Sequence, residues 1–135
     1  MQPHGQKLKV MAQILIIDDD ADMRALLSQT LQAAGHEVVL AADGKEGVEQ
    51  HRIKPAELVI TDMYMPNQAG LETIIQLRKE SPTVRIIAMC GKSTAMPMLS
   101  AAQRLGAIQV LQKPFVGDEV LTAVERALRT ESRPA

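Results

Sequence analysis

Ile14-Leu15-Ile16-Ile17-Asp18-Asp19-Asp20 is the stretch on which the fold turns. A short, β-branched apolar run that stops at charged residues reads as a buried strand carrying its charge at the C-terminal end. Leu58–Thr61 closed by Asp62, and Ile108–Gln112 followed by Lys113-Pro114, repeat that plan. Ligands of an open parallel α/β sheet bind in the crevice outside the carboxyl ends of the strands. Three such ends would deliver several carboxylates and one ammonium into one pocket. That chemistry suits a hard cation and a phosphoryl group.

Working outward from these runs, strand-like and helix-like patterns alternate. Strand one spans about Gln13–Ile17, and a helix follows over about Ala21–Ala34 with Met23, Leu26, Leu27, Thr30, Leu31 and Ala34 on one face. Gly35 is placed to stop it. His36–Leu40 reads as the second strand, and Asp43-Gly44 opens a short helix to about Arg52. After the third strand comes a loop with Met65-Pro66-Asn67 and Gly70. Leu71, Ile74, Ile75 and Leu77 then mark a helix that Ser81-Pro82 ends. Val84–Met89 is the fourth strand, Met96–Leu105 a helix ended by Gly106, and Val116–Arg129 the last helix, with Val120, Leu121, Val124 and Leu128 inward. Such alternation predicts an α/β fold with a parallel sheet covered on both faces. Residues 1–12 read as a loose N-terminal extension, 13–130 as one domain and 131–135 as a polar tail.

The chain has 135 residues, 46% of them hydrophobic, enough for one sizeable core. Tyr64 and Phe115 are its only aromatics, so aliphatic side chains, Met and Ala must fill that core. Fifteen basic against sixteen acidic residues give a formal charge of −1. There is no basic stripe and no aromatic platform for stacking bases, which argues against nucleic acid as a partner. No apolar run approaches the roughly 20 residues that span a bilayer, and the N-terminus lacks a secretory pattern. The single cysteine, Cys90, excludes an internal disulfide framework and suits a reducing, cytoplasmic setting.

The aspartates admit two readings. Asp19 or Asp20 can cap the first helix; alternatively, adjacent carboxylates at a strand end repel unless a cation or protons neutralise them. An oxygen-only set favours Mg²⁺ over zinc or copper. Asp62 shifts the balance toward a cation site, because Pro66 and Gly70 keep the segment after it looped rather than helical. A carboxylate beside a divalent ion can attack phosphorus to give an acyl phosphate, and Lys113 offers a compact positive charge to a phosphoryl oxygen. Taken singly, Lys113 reads as a surface lysine. His36 and His51 sit away from the acidic ends and read as surface or capping residues. Lys92-Ser93-Thr94 lacks the upstream glycines of a phosphate-binding loop, so that reading is rejected.

Together, Ile14–Asp20, Val59-Ile60-Thr61-Asp62-Met63-Tyr64-Met65-Pro66, Gly70-Leu71 and Lys113-Pro114-Phe115 resemble the receiver domain of two-component response regulators, chemotaxis regulators among them. The resemblance runs from about Gln13 to Arg129. It implies a doubly wound, flavodoxin-like sheet of five parallel strands in the order 2-1-3-4-5, with helices on both faces. It also implies roles: Asp62 as phosphoacceptor; Asp19, Asp62, the Tyr64 backbone carbonyl and Asp18 around Mg²⁺; Lys113 on the phosphoryl group; and a cis Lys113–Pro114 bond. A histidine kinase or histidine phosphotransfer protein would supply the phosphoryl group. The output would be a downstream protein target or a fused domain that this chain does not carry. Such a protein catalyses its own phosphorylation and dephosphorylation without being an enzyme of the ordinary kind.

Three departures stand out. Cys90 occupies the place at the end of strand four where the family usually has Thr or Ser, and a thiol is a poor donor. Read alone, Cys90 is a small buried hydrophobe. Val110 replaces the usual strand-five aromatic, and Asn67-Gln68-Ala69-Gly70 lacks the customary acid before the glycine. With both switch positions altered, a phosphorylation-independent pseudo-receiver acting as an interaction module is the alternative function. A Mg²⁺-dependent phosphatase is a weaker third, since Tyr64 stands where a general acid would be needed.

Overall fold

Along each strand, successive side chains point to opposite faces of the sheet, and that alternation divides the core into two layers. The structure, a computed structural model, describes residues 11–64, 70–91 and 96–129. The expectations for residues 1–10, Met65-Pro66-Asn67, Lys92-Ser93-Thr94 and 131–135 lie outside these residues. Among the described residues, β1 (Gln13–Ile17), α1 (Ala21–Ala33), β2 (Glu37–Ala41), α2 (Gly44–Ile53), β3 (Leu58–Asp62), α3 (Gly70–Glu80), β4 (Arg85–Cys90), α4 (Met96–Arg104), β5 (Ala107–Gln112) and α5 (Gly117–Arg129) follow in order. The strands form one parallel sheet in the order β2-β1-β3-β4-β5, as the resemblance implied.

Ile14, Ile16, Leu58, Ile60, Ile87 and Met89 face Leu27 and Leu31 of α1 and Val120 and Val124 of α5. Leu15, Ile17, Val59, Ile86 and Ala88 face Val48 of α2, Ile74 and Leu77 of α3 and Ala102 of α4. Burying both faces of the central strands makes their sequences continuously apolar, and it forces the first polar side chains to appear where the strands end. Ala12, left in the extension by sequence, is already buried, with its N–H donated to His36 Nδ1.

Caps account for the helix boundaries. Asp20 caps α1 by accepting from Asp22 N–H, and Asp43 caps α2 by accepting from Glu46 N–H. Gly35 and Gly106, expected as helix stops, take φ of 97° and 104°, a region costly for residues with a Cβ.

Several packing expectations need correction. Leu26, expected on the packed face of α1, is exposed, and so is Ile75 of α3. Each lies about 100° around its helix from a buried neighbour, Leu27 or Ile74, and that rotation carries it off the packed stripe. Leu121 and Leu128 are only partly buried at the edge of the core. β2 is shifted by one residue to Glu37–Ala41. His51 is not on the surface: it is buried at the end of α2, and its Nδ1 accepts the Ala56 N–H.

Candidate functional site

β1 and β3 are neighbours in register, Ile17 opposite Thr61, so the residues that follow emerge side by side at the carboxyl edge of the sheet. Asp18 is completely buried, Asp62 nearly so, and Asp19 is exposed. Carboxylate oxygens of the three lie within 4.8 Å of one another. Lys113, just past β5, reaches across from the other side: its Nζ donates to Asp18 Oδ2 at 3.0 Å and to Asp62 Oδ2 at 3.3 Å. The Lys113–Pro114 peptide bond is cis. Four residues separated by up to 95 positions thus meet in one pocket.

The acidic turn is tied down at almost every polar group. Asp18 N–H donates to Ala41 O at 3.1 Å. The Asp18 carboxylate accepts from Asp20 N–H at 2.9 Å, and the Asp18 carbonyl accepts from Arg24 Nη1 at 2.7 Å. Capping and clustering, the two readings of the triplet, are divided among its members: Asp20 serves the helix, while Asp18 and Asp19 face the pocket. Tyr64 is half-exposed, and its N–H donates to Asp62 Oδ1 at 3.4 Å.

Electrostatics follow from this burial. Removal from water pushes the Asp18 carboxyl up from its ordinary pKa, more than the Asp20 N–H and Lys113 push it down. Burial works against the Lys113 ammonium too. The Asp18 hydrogen bond and charge, with Asp62 behind them, outweigh it and raise its pKa. The two directions differ in origin: Asp18 has no exposed side-chain surface, whereas Lys113 keeps 23% of its own. With its ammonium within 3.3 Å of two carboxylates, Lys113 is held charged.

The donor set fits Mg²⁺. Octahedral coordination at about 2.1 Å places ligand oxygens roughly 3 to 4 Å apart, a spacing comparable with the 4.8 Å within which these three carboxylate oxygens lie. Three carboxylates against one ammonium leave an excess of negative charge for a divalent cation to offset. Oxygen ligands alone make the site hard.

Cys90 ends β4 as a buried thiol that donates weakly to Leu111 O at 3.6 Å. Burial, then the Asp62 charge, push its pKa up, which keeps it protonated. Val110 lies opposite Ala88 and lines a groove of about 350 Å³ between β5 and α5, with Asp118, Glu119 and Thr122. That groove is separate from the acidic pocket. Sequence reading missed Arg24. The available signal was a cation in the opening turns of a helix, where the positive end of the dipole disfavours it. It also missed Arg78, a buried guanidinium that donates to the carbonyls of Leu105, Gly106, Pro82 and Val84.

Comparison with known proteins adds an independent line. The profile of the response regulator receiver domain family matches residues 14–125. The transcriptional regulator NtrC of Azospirillum brasilense is 38% identical over 124 residues, covering 92% of this chain and 26% of that protein. The chain therefore spans about a quarter of the length of that relative. The chemotaxis protein CheY of Listeria monocytogenes is 34% identical over 121 residues, 88% of this chain and 100% of CheY. Among solved structures, Vibrio cholerae CheY4 superposes with a TM-score of 0.82 at 31% identity, covering 87% of this chain and 99% of that one.

Proposed function

The chain belongs to the response regulator receiver domain family of two-component signalling, and from that membership we propose that Asp62 is its phosphoryl acceptor. The observation that carries the reading is the meeting of Asp18, Asp19, Asp62 and Lys113 in one pocket. Asp62 is anchored at the end of a buried strand and hydrogen-bonded through both oxygens, to Tyr64 N–H and Lys113, so its approach to phosphorus is oriented before a donor arrives. With a phosphohistidine donor, the P–N bond breaks, a bond from an Asp62 carboxylate oxygen to phosphorus forms, and the released imidazole takes a proton. Lys113 turns from Asp62 toward a phosphoryl oxygen while keeping Asp18. Hydrolysis reverses the state: water attacks phosphorus and Asp62 is regenerated.

Asp19 and Asp62, with Asp18 assisting and the Tyr64 carbonyl alongside, would hold Mg²⁺, which when bound offsets charge on the transferring oxygens. The donor is a histidine kinase or histidine phosphotransfer protein, and the product modulates docking to a downstream protein or an output domain, in the cytoplasm. An intact set of acids and lysine gives the pseudo-receiver alternative no support.

Amide chemical shifts with Mg²⁺ and trifluoroberyllate, a mimic of a bound phosphoryl group, test the reading. Shifts should appear at the ends of β1, β3 and β5 in wild type and be lost in Asp62→Asn. A response that survives Asp62→Asn unchanged would place the acceptor elsewhere.

A further inference from the structure

We propose that Arg24 is a positioning residue for Asp19, acting through the peptide bond that joins Asp18 to Asp19. The inference rests on Asp18, Asp19 and Asp62 being the cation site.

β1 pairs with its neighbours only as far as Ile17. The Asp18 carbonyl lies beyond the ladder, on a residue completely shut from water. A buried carbonyl needs a donor, and Arg24 Nη1 supplies it at 2.7 Å. Because the peptide unit is planar, holding the Asp18 oxygen also fixes the orientation of Asp19 N and the direction in which its Cα leaves the turn. Asp18 is secured on its other groups by Ala41, Asp20 and Lys113. Asp19 is the exposed member of the cluster. Its carboxylate is aimed chiefly by the backbone that carries it, and Arg24 holds that backbone. The placement of Arg24 supports the same role. It is the fourth residue of α1, near the end of the helix dipole that repels cations, and a charge-assisted bond to the turn offsets that cost.

Charge and positioning predict opposite signs. Removing a cation beside an acidic cluster should, by Coulomb's law alone, tighten a divalent ion. Removing a positioning bond should loosen it, by about tenfold where a group that orients a ligand is lost. The experiment titrates Mg²⁺ into the full chain as wild type, Arg24→Ala and Arg24→Lys, followed by amide shifts. Hydrogen exchange of the Asp20 amide, which donates to Asp18, is measured without metal. Arg24→Ala should bind Mg²⁺ about tenfold more weakly and exchange faster at Asp20, while Arg24→Lys, keeping charge and one donor, recovers most of both. Tighter or unchanged Mg²⁺ binding in Arg24→Ala, or unchanged exchange, overturns the proposal. A wild type with no Mg²⁺ response at Asp18, Asp19 and Asp62 refutes the cation site itself. Normal wild-type binding with an indifferent Arg24→Ala refutes the role of Arg24 alone.

Discussion

Gly70 leaves no room for a side chain: a Cβ there would lie 2.6 Å from Met63 Cα and 2.7 Å from the Asp62 carbonyl oxygen. Both neighbours are backbone, so relief would have to come from moving the end of β3 and with it the proposed acceptor. Gly70→Ala should cost about 1–3 kcal/mol, the usual range for overpacking, and slow phosphorylation of Asp62 more than its stability loss explains; urea titration and single-turnover labelling separate the two. His51 gives a pH dependence. Burial, opposed by Glu80, lowers its pKa from 6.5, so in the window below pH 6.5 the unfolded chain binds more protons than the folded one. Stability is full above that window, falls as pH drops through it, and levels off beneath the folded-state pKa. His36, whose pKa is lowered by burial that outweighs the opposing charges of Glu57 and Glu125, adds in the same direction. His51→Asn, which keeps an acceptor for Ala56 N–H but cannot titrate, should flatten part of that slope in urea titrations from pH 7.5 to 5. An unchanged slope would show that His51 contributes nothing to it.

At the scale of elements, Arg78 joins α3 to the start of β4 and to the turn between α4 and β5. In Arg78→Met its four carbonyl partners would lose this donor, Val84 O in a buried setting and the other three in partly buried ones. Hydrogen bonds from a charged group contribute about 1.5–3 kcal/mol each but do not add fully, so a loss of about 3–5 kcal/mol is expected. Arg78→Lys should recover only part, since one ammonium cannot span the carbonyls a planar fork reaches. Denaturant unfolding checks both, and a loss under about 1 kcal/mol would mean that the clamp is dispensable. Nothing local announces this clamp: Arg78-Lys79-Glu80 reads as the solvated tail of a helix, and the partners lie up to 28 residues away. The acidic and basic strand ends were legible for the opposite reason. A strand buried on both faces leaves a place for charge only at its end, so Asp18, Asp62 and Lys113 mark where the apolar runs stop, even though Asp18 and Asp62 are themselves buried. Leu26 was misread because a run of adjacent apolar residues does not reveal how wide a stripe its neighbours cover.

For the molecule as a whole, the question is how far a phosphoryl group on Asp62 is felt. The resemblance to receivers with Thr or Ser at the end of β4 and an aromatic in β5 implies a switch in which that hydroxyl moves toward the phosphoryl group and frees space for the aromatic. Cys90 instead offers a weak donor already turned to Leu111 O. Val110 leaves open a groove beside α5 that a larger side chain would enter. A bound group shifts two states only by its differential interaction with them. The amide-shift response of α4, β5 and α5 to Mg²⁺ and trifluoroberyllate should therefore be smaller in wild type than in Cys90→Thr/Val110→Tyr. Equal responses would make both residues packing variants. None of these effects arises unless Asp62 is modified, and intact mass after incubation with acetyl phosphate and Mg²⁺ addresses that directly. The account predicts that wild type gains one phosphoryl mass and that Asp62→Asn gains none. A gain of the same stoichiometry in Asp62→Asn would contradict it.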